Sequence, residues 1–456
     1  MSLQKILKKN EIYETEITGM TAEGNGVCRI DGFAVFVPMT AVGDQLKIKI
    51  VKVLKHYAFG IIQELRTPGA GRVHPDCPVF RQCGGCTFRH VDYPTELCYK
   101  SGFVQDAFDR IGKLHPTFEP ILGSPEISHY RNKAQYPVAM QDGKLICGFY
   151  AKHSHRIIPY TDCALHPEIF RKILDYLLPA LQNAHVSAYE EQTHTGELRH
   201  IYLRKGYHSG EIMLCFVTRI SIRKKLDFLP KLKTKFPEIL SICESVNPAR
   251  TNVILGKSVT VLAKQNFITD TMCGNPVQIS AQSFYQINTA QAERLYLLAR
   301  QYADFQGNEI LLDLYCGAGT IGLSMADCVQ KLIGVEIIPQ AVENARENAR
   351  RSQITNAEFY CGDAGMIAET FAQQQLHPDV VILDPPRKGC DSAAITAVVD
   401  MQPDKIIMIS CNAATCARDA AIFAEHGYQI RKAGAVDLFP RTSHVECVVL
   451  MSREKS

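Results

Sequence analysis

The chain has 456 residues, which is enough for two or three domains. Hydrophobic residues make up 46% and charged residues 21%, as in an ordinary globular protein, and no stretch of membrane-spanning length is free of charge. The formal net charge of +3 is too small to indicate a partner by itself.

The cysteine content indicates the compartment. The chain has 17 cysteines, an odd number, spread over segments with helical and strand patterns. This favours a reducing cytoplasm, with some thiols binding metal or doing chemistry, over a disulfide framework. The first residues, MSLQKILKKNEIYETEI, carry charges every few positions, so we expect no signal peptide.

Residues 1–65 are predicted to form a small OB-like β-barrel. The segments YETEITGM, GVCRIDGFAVFVP and DQLKIKIVKVLKHYAFGIIQEL are typical of short strands, and turn signals such as Glu23-Gly24-Asn25-Gly26 separate them. Even spacing of short strands is typical of small barrels. Residues 67–75, TPGAGRVHP, have the composition of a linker.

A central, mostly β domain is predicted over residues 75–283. Residues 95–113 have helical spacing with Thr95 as a possible N-cap, and the helical segment 93–125 is expected to pack on the domain that follows. From residue 130 the pattern is mostly that of strands, interrupted by helical patches around 167–184 and 226–241.

Part of this central domain is strongly basic. Between residues 199 and 235, ten basic side chains are opposed by only Glu211 and Asp227. Such an excess suits a polyanion such as RNA, although a solvated lysine-rich face explains it equally well. The ten are Arg199, Arg204, Lys205, Arg219, Arg223, Lys224, Lys225, Lys231, Lys233 and Lys235.

Residues 284–456 predict a doubly wound, Rossmann-like α/β domain. Asn288 or Thr289 caps an amphipathic helix over 288–303. Five apolar strands with helical crossovers and two final strands then give a sheet of seven. The strand segments are EILLDLY, KLIGVE, AEFYCGD, DVVILDPP, KIIMISC, QIRKAGAVDLF and HVECVVLMS.

The first strand of this sheet leads into a glycine-rich loop. Gly317, Gly319 and Gly322 form G-x-G-x-x-G between strand and helix, and Glu336 ends the next strand, where it can accept hydrogen bonds from ribose hydroxyls. This pattern suits a nicotinamide dinucleotide or S-adenosylmethionine.

Three features favour S-adenosylmethionine. The segment D-x-Y-C-G-x-G-T-x-G, which starts at Asp313, resembles the first motif of class I methyltransferases. The third strand ends in Gly362-Asp363, where such enzymes hold adenine. The fourth ends in Asp384-Pro385-Pro386-Arg387, whose prolines stiffen the backbone, so that Asp384 is aimed into the crevice where open α/β sheets bind ligands.

A thiol and a carboxylate are predicted to meet at the same edge. Cys411 ends the fifth strand, and a last strand returning antiparallel beside it brings His444 and Glu446 to that edge. A buried packing thiol is the plainer interpretation of Cys411. A thiolate that adds to C6 of a pyrimidine, however, activates C5 for methylation, and a base then removes the C5 proton. The thiolate needs positive potential, which a sulfonium, Arg387 or Arg441 could supply.

Six segments resemble the RNA uracil-5-methyltransferase family, and most closely its bacterial 23S rRNA branch. They are SFYQIN (283–288), DLYCGAGTIGL (313–323), GVEIIPQAVENARENA (334–349), DPPRKG (384–389), SCNAATCARD (410–419) and HVECVVL (444–450). The resemblance implies Cys411 as nucleophile and Glu446 as base, and residues 1–65 resemble the TRAM domain of family members. It also implies cofactor contacts from Gln286, Asp313, Tyr315, Gly317, Gly319, Glu336, Asp363 and Asp384, and substrate contacts from Gln286, Asp384 and Arg387.

Four cysteines, Cys77, Cys83, Cys86 and the distant Cys163, resemble the ligand set of a [4Fe–4S] cluster. On thiolate chemistry alone they fit a zinc site equally well. Gly84-Gly85 lets backbone amides turn towards sulfur, which suits either metal. The resemblance favours iron–sulfur, in a structural role because the C-x3-C-x2-C radical motif is absent.

The combined prediction is a cytoplasmic, monomeric enzyme that methylates C5 of a uridine flipped out of a loop in 23S rRNA. The barrel, the central domain and the basic stretch would hold the RNA. The alternatives are a tRNA substrate, amino-group methylation, or an RNA-binding or chaperone module without activity. Arg387 stands where an amino-methylating enzyme needs an aromatic residue, and the intact set of Asp384, Cys411 and Glu446 counts against an inactive module.

Overall fold

The computed structural model describes residues 7–453. Residues 1–6 and 454–456 lie outside the described residues. The first few residues of the N-terminal segment, for which we expect no signal peptide, are among them, and so are the outer ends of the first and last predicted domains. Within residues 7–453 the chain forms three large sheets and two small ones.

The first large sheet comes from the predicted barrel. Its strands are β1 (Ile12–Glu16), β2 (Gly19–Met20), β3 (Asn25–Ile30), β4 (Phe33–Pro38), β5 (Gln45–Val53) and β6 (Tyr57–Thr67). They pair in the order β1-β5-β6-β4-β3-β2. Alternation along β5 buries Leu46, Ile48 and Ile50, because successive side chains of a strand point to opposite faces.

The glycine-rich stretch after the barrel, predicted as a linker, is tied back to the barrel. The fully buried carboxylate of Asp44 accepts the Gly69 amide at 2.9 Å and the Arg72 guanidinium at 2.6 and 2.8 Å. A bidentate charged pair of this kind fixes geometry as well as adding stability. The stretch therefore holds a defined path to the next element.

A helix, α1 (Tyr93–Ala107), follows and ends in a π-helical turn, Phe108–Gly112. The prediction of Thr95 as its N-cap is wrong. Asp92 caps the helix, and its side chain accepts the Thr95 amide at 2.8 Å. A proline in the first turn is pre-organised for the helix and allows it to start earlier.

The helix packs against the C-terminal sheet. Lys100 is fully buried and pairs with Glu96 at 2.8 Å and with Asp437 at 2.7 Å. Phe108 lies in the same apolar core as side chains of the C-terminal strands. A buried charge stays charged only when it is paired, so this triad fixes the position of the helix.

The central sheet pairs in the order β14-β13-β12-β11-β7-β8, with the small sheets β10-β9 and β15-β16 beside it. The strands are β7 (Lys133–Gln141), β8 (Lys144–Cys147), β9 (Phe149–Tyr150), β10 (Ile157–Ile158), β11 (Leu198–Lys205), β12 (Ile212–Thr218), β13 (Ile239–Val246), β14 (Val259–Lys264), β15 (Phe267–Met272) and β16 (Asn275–Ser280).

Two helices cover one face of the central sheet, α2 (Glu168–Asn183) and α3 (Leu229–Lys235). The first agrees with the helical patch predicted around 167–184. The second is shorter than the patch predicted over 226–241, and β13 begins at Ile239. Pro237 disfavours helical backbone in the residue before it, so the helix ends there and the apolar run beyond it forms a strand.

The C-terminal sheet has seven strands, as predicted. They are β17 (Ile310–Leu314), β18 (Lys331–Glu336), β19 (Ala357–Cys361), β20 (Val380–Leu383), β21 (Lys405–Ser410), β22 (Tyr428–Val436) and β23 (Glu446–Arg453). Their order is β19-β18-β17-β20-β21-β23-β22, and β23 lies antiparallel beside β21.

The helices of this domain are α4 (Thr289–Ala303), α5 (Thr320–Leu323), α6 (Pro339–Arg351), α7 (Ala364–Gln373), α8 (Ser392–Met401) and α9 (Ala413–Glu425). Asn288, one of the two predicted caps, accepts the Gln291 amide at the start of α4. The strand order reverses between β17 and β20, and the crevice at such a switch point is where α/β sheets bind ligands.

Candidate active site

The glycine loop after β17 is held by two carboxylates. The Gly317 amide donates to Glu336 at 3.0 Å, and the Gly322 amide donates to Asp313 at 2.9 Å. A Cβ at Gly322 would lie 2.8 Å from the Asp313 carboxylate, whereas one at Gly317 would meet no atom within 4 Å. The loop is therefore packed on its inner side and open above Gly317, as a ligand cradle requires.

Asp313 lies beneath this loop and is fully buried. Burial raises the pKa of its carboxyl to about 8, and Asp384 and Glu336 add to the rise. The side chain reaches the Gly322 backbone. This geometry favours support of the loop over direct contact with a cofactor.

Four other predicted cofactor residues lie on the rim of the crevice. Tyr315 has a left-handed backbone with φ of 67°, which turns the chain sharply out of β17. Glu336 also accepts the Ile338 amide at 2.9 Å, and Asp363 caps α7 through the Gly365 amide at 3.0 Å. The side chain of Gln286 lies beside Tyr296.

Exposed apolar side chains flank this rim, and the sequence analysis missed them. Ile337 is 61% exposed and Met366 is 70% exposed, next to Glu336 and close in sequence to Asp363. The signal of Ile337 in the sequence is an apolar residue directly after the polar end of a strand, whereas Met366 lies in the first turn of the helix that follows the next strand. A planar apolar ligand would remove this surface from water.

Cys411 and Glu446 meet across two paired strands. Ser410 of β21 is the register partner of Cys447 of β23, so the next positions on the two strands are Cys411 and Glu446. Cys411 is partly exposed, whereas Glu446 is 6% exposed. The antiparallel return of β23 thus brings the two predicted groups together.

Charges around this pair set its protonation. Burial, and then the charge of Asp384, raise the pKa of the Glu446 carboxyl to about 8 against the opposing charge of Arg387. Burial and then Glu446 raise the pKa of the Cys411 thiol, while Arg387 lowers it through its charge and a hydrogen bond. Burial also raises the pKa of Asp384 to about 7.

Arg387, and not Arg441, is the arginine beside the thiol. The Arg441 guanidinium donates to the Val91 carbonyl at 2.9 Å and lies 3.5 Å from the Glu96 carboxylate. Its charge is therefore paired with Glu96 and not with the Cys411 thiol. The Arg387 carbonyl accepts from the Asn412 side chain at 3.1 Å. This bond ties the loop after β20 to the loop that carries Cys411.

Cys411 opens into a cavity of about 450 Å³, which is large enough for a nucleotide. Its walls come from three parts of the chain. The lining comprises Ala22 and Glu23 of the barrel, Phe103, Asp106, Ala107, Arg110 and Ile111 of α1 and its π turn, and Arg387, Cys411, Asn412, Ala413, Ala414, Ser443, His444 and Val445 of the C-terminal domain. Sequence reasoning missed the contributions of the barrel and of α1, because no local pattern reports a contact between distant segments.

The four predicted metal-ligating cysteines line one cavity of about 70 Å³. They are Cys77, Cys83, Cys86 and Cys163. The Gly85 amide donates to Cys83 Sγ at 3.4 Å, as the glycine pair predicts. Within residues 7–453, no group of three or more His, Cys, Asp or Glu side chains is arranged to hold a metal ion.

The ten basic residues of 199–235 do not all lie on one exposed face, because two of them are buried, which corrects that interpretation of the whole stretch. Arg199 is buried and donates to the carbonyls of Asn247 and Ala249, and Arg204 is fully buried and donates to those of Ser280 and Ser283. Burial without these partners would cost several kcal/mol, roughly 2–7 for a polar group. These two arginines therefore hold the central sheet and its neighbouring loops together.

We expect Arg387→Gln to shift alkylation of Cys411 to higher pH by about one unit, because the nearby cation that favours the thiolate is lost. Iodoacetamide labelling of the Cys411 peptide, followed by mass spectrometry, measures the midpoint from about pH 6 to about pH 10, a range that brackets the ordinary thiol pKa of about 8.5. Lys388→Gln removes a charge from the next residue and is the matched control. Equal midpoints for both variants would contradict the assignment.

Three comparisons with known proteins agree. Residues 256–454 match the family described as tRNA (uracil-5-)-methyltransferase, and residues 7–62 match the TRAM domain. The chain is 40% identical to an uncharacterized RNA methyltransferase of Halalkalibacterium halodurans and to one of Bacillus cereus, covering 98% of each chain. It is 27% identical to the Pyrococcus abyssi tRNA (uracil-54, C5)-methyltransferase in complex with S-adenosyl-L-homocysteine, with a TM-score of 0.77 over 96% of this chain and 99% of that one.

Helices long and apolar enough to cross a bilayer are absent from the part of the chain between residues 7 and 453.

Proposed function

The chain belongs to the RNA uracil-5-methyltransferase family, and from that premise we propose that it transfers a methyl group from S-adenosylmethionine to C5 of a uridine in 23S rRNA. The observation that carries the proposal is the junction of β21 and β23, where Cys411, Glu446 and Arg387 meet beside a nucleotide-sized cavity. Neither an amino-group methyltransferase nor a binding module needs a thiol and a base at this point.

In the proposed reaction Cys411 is the nucleophile. Its thiolate bonds to C6 of the flipped uracil, and the electron pair of the C5–C6 double bond moves to C5 and the adjacent C4 carbonyl, so that C5 becomes enolate-like. S-adenosylmethionine supplies an electrophilic methyl group to C5. The bond from sulfur to C6 breaks again in the last step, which restores the double bond and the free thiolate.

Glu446 is the proposed base. It takes the proton from C5 after methylation, and the electron pair of that C–H bond re-forms the double bond as Cys411 leaves. Its burial beside Asp384 raises the pKa to about 8, so the carboxylate binds a proton more strongly than an exposed glutamate. A base of this strength is suited to removing a carbon-bound proton near neutral pH.

The crevice residues fit S-adenosylmethionine. In this proposal the open space above Gly317 takes the amino-acid portion and the Glu336 carboxylate accepts the ribose hydroxyls. The exposed side chains of Ile337 and Met366 would cover adenine beside Asp363. Asp384 has no hydrogen-bonding partner for its carboxylate among residues 7–453, so it is available to a ligand. Gln286 and Tyr315 complete the proposed contacts, and Asp384, Gln286 and Arg387 also face the substrate.

The choice of 23S rRNA rests on sequence resemblance, and tRNA is the second candidate because the solved relative from Pyrococcus abyssi acts on tRNA. We expect 5-methyluridine at one or more 23S positions to disappear from cells that lack this protein and to return with the intact chain. Mapping 5-methyluridine in both RNA classes decides between them. Loss from tRNA alone would contradict the rRNA assignment, and the Cys411→Ala chain is the control that must not restore the mark.

The proposed domains are those of the sequence analysis: a TRAM barrel at 1–65, a central domain at 75–283 with the four cysteines, and a methyltransferase domain at 284–456. The four thiols have the donor chemistry of a [4Fe–4S] cluster and line one cavity, although within residues 7–453 they are not drawn together as metal ligands. Such a cluster would be structural. Its loop continues into Thr87 and Phe88, whose amides donate to the Arg441 carbonyl at 2.8 and 3.0 Å, ahead of Glu446.

Anaerobically prepared protein is expected to contain about four iron and four sulfide per chain and to absorb visible light. The Cys83→Ser variant should lose both, while zinc content stays low in each. A preparation that binds stoichiometric zinc without iron would contradict the cluster assignment.

A further inference from the structure

The two faces of the central sheet meet different surroundings. Along β11, Tyr202 points into the apolar core shared with α4 and the C-terminal sheet, whereas Ile201 and Leu203 point into a core shared with α2 and α3. Successive residues of a strand point to opposite faces, so these two helices lie on the side away from the C-terminal sheet. Whatever binds on their outer surface is separated from Cys411 by the central sheet.

A groove of about 870 Å³ lies between the exposed face of α2 and residues 224–235. Its charged lining consists of five lysines and two aspartates, namely Lys172, Lys224, Lys225, Lys231, Lys235, Asp175 and Asp227. Like charges from two separate elements converge there, which raises the local positive potential above that of a flat surface. Two aromatic side chains, Tyr176 and Phe228, also line it.

The lysines of the groove differ in their partners. Lys225 is bound by Glu197 at 2.7 Å, and the Lys235 ammonium lies 5.3 Å from the Tyr176 ring centroid. Among residues 7–453, no carboxylate lies within 4.0 Å of the ammonium of Lys172, Lys224 or Lys231. Three cations are therefore free to bind an external anion.

We propose that this groove binds the phosphodiester backbone of an RNA segment distant from the target uridine. The proposal rests on the proposed function, since it assigns a second contact to the same substrate. Free lysines that line one groove suit the phosphates of a strand, because each neutralised phosphate releases a condensed counterion. The position behind the central sheet means that a short RNA occupying the Cys411 cavity does not reach it.

The test compares Lys224→Gln/Lys231→Gln with Lys144→Gln/Lys257→Gln, whose lysines are exposed outside the groove. Affinity is measured from low to physiological salt for a short stem-loop and for a long 23S fragment that contains the modified uridine. We expect the groove variant to bind the long RNA about tenfold more weakly, with a log–log salt slope lower by about 1.5. Its affinity for the stem-loop, and its kcat on either RNA, should equal those of the control.

The proposal would be overturned if the groove and control variants bound the long RNA with equal affinity and equal salt slope. It would also be overturned if the groove variant lost as much affinity for the short stem-loop as for the long RNA. Surface Lys→Gln changes keep helix propensity, so the unfolding midpoint should be unchanged. If the parent chain bound the long RNA but methylated neither substrate, the proposed function would be wrong. The salt slopes of the two variants would still show whether the groove binds RNA.

Discussion

Cys411→Ala should abolish methylation, with a loss of at least about 10⁴-fold in kcat, because Cys411 is the one cysteine that lines the cavity in the part of the chain that the structure describes. Without that addition C5 stays a poor nucleophile, whatever the geometry of the methyl donor. The measurement is transfer of labelled methyl from S-adenosylmethionine to substrate RNA. The parent chain should also release tritium from C5-labelled uridine, and the variant should not.

The same variant should keep its cofactor site. Cys411 lies beyond the glycine loop, and no hydrogen bond joins its thiol to Gly317, Glu336 or Asp363 in the part of the chain that the structure describes. Calorimetric affinity for S-adenosylhomocysteine should thus match the parent. Turnover in Cys411→Ala, or a denaturant-stable RNA adduct formed by it, would refute the mechanism.

Glu446→Gln should trap the enzyme on its substrate. The thiol still adds and the methyl group still transfers, but the amide cannot accept the C5 proton, so elimination fails. We expect kcat to fall by about 10²–10⁴-fold, the usual contribution of a general base. A covalent RNA–protein band should accumulate on denaturing gels as turnover declines.

The double variant Cys411→Ala/Glu446→Gln is the matched control, since it removes the sulfur that forms the band. A band in the double variant would show that the adduct involves another residue. Normal turnover in Glu446→Gln would remove this carboxylate from the reaction.

The protonation of the pair also predicts a pH profile for the parent chain. Both the Glu446 carboxyl, with a pKa raised to about 8, and the Cys411 thiol, with a raised pKa, must lose protons before reaction. The kcat/KM should therefore increase with pH through about 8, where the Glu446 carboxyl titrates, and continue to increase above it as the Cys411 thiol ionises. Below about 8 it should fall more steeply than the loss of a single proton allows.

The active site depends on contacts between distant parts of the chain. A Cβ added at Gly24 of the barrel would lie 2.2 Å from the Thr87 side chain, so the barrel loop packs directly on the cysteine loop. Thr87 in turn binds Arg441, ahead of Glu446. The barrel and the C-terminal domain, which both line the Cys411 cavity, are thus packed together through the cysteine loop.

The sequence alone determined the sheet and its reactive edge. Strand and helix periodicity with the glycine loop predicted seven strands in the C-terminal domain, and Cys411 and Glu446 followed from their positions at strand ends. These features are local: side-chain alternation, caps and turn chemistry act within a few residues. Even so, the sequence predicts Thr95 as the cap that Asp92 provides, because the start of a helix depends on competition between neighbouring capping residues.

Only the tertiary structure decided which charges act together. From the sequence, Arg387 and Arg441 were equivalent candidates to stabilise the thiolate, and burial of Arg441 against Val91 and Glu96 left the role to Arg387. Likewise, Arg199 and Arg204 contribute to the basic composition of their segment, but both are buried and donate to backbone carbonyls of the protein. Burial and pairing between residues far apart in the chain set the energy of a charge, and no local pattern encodes them.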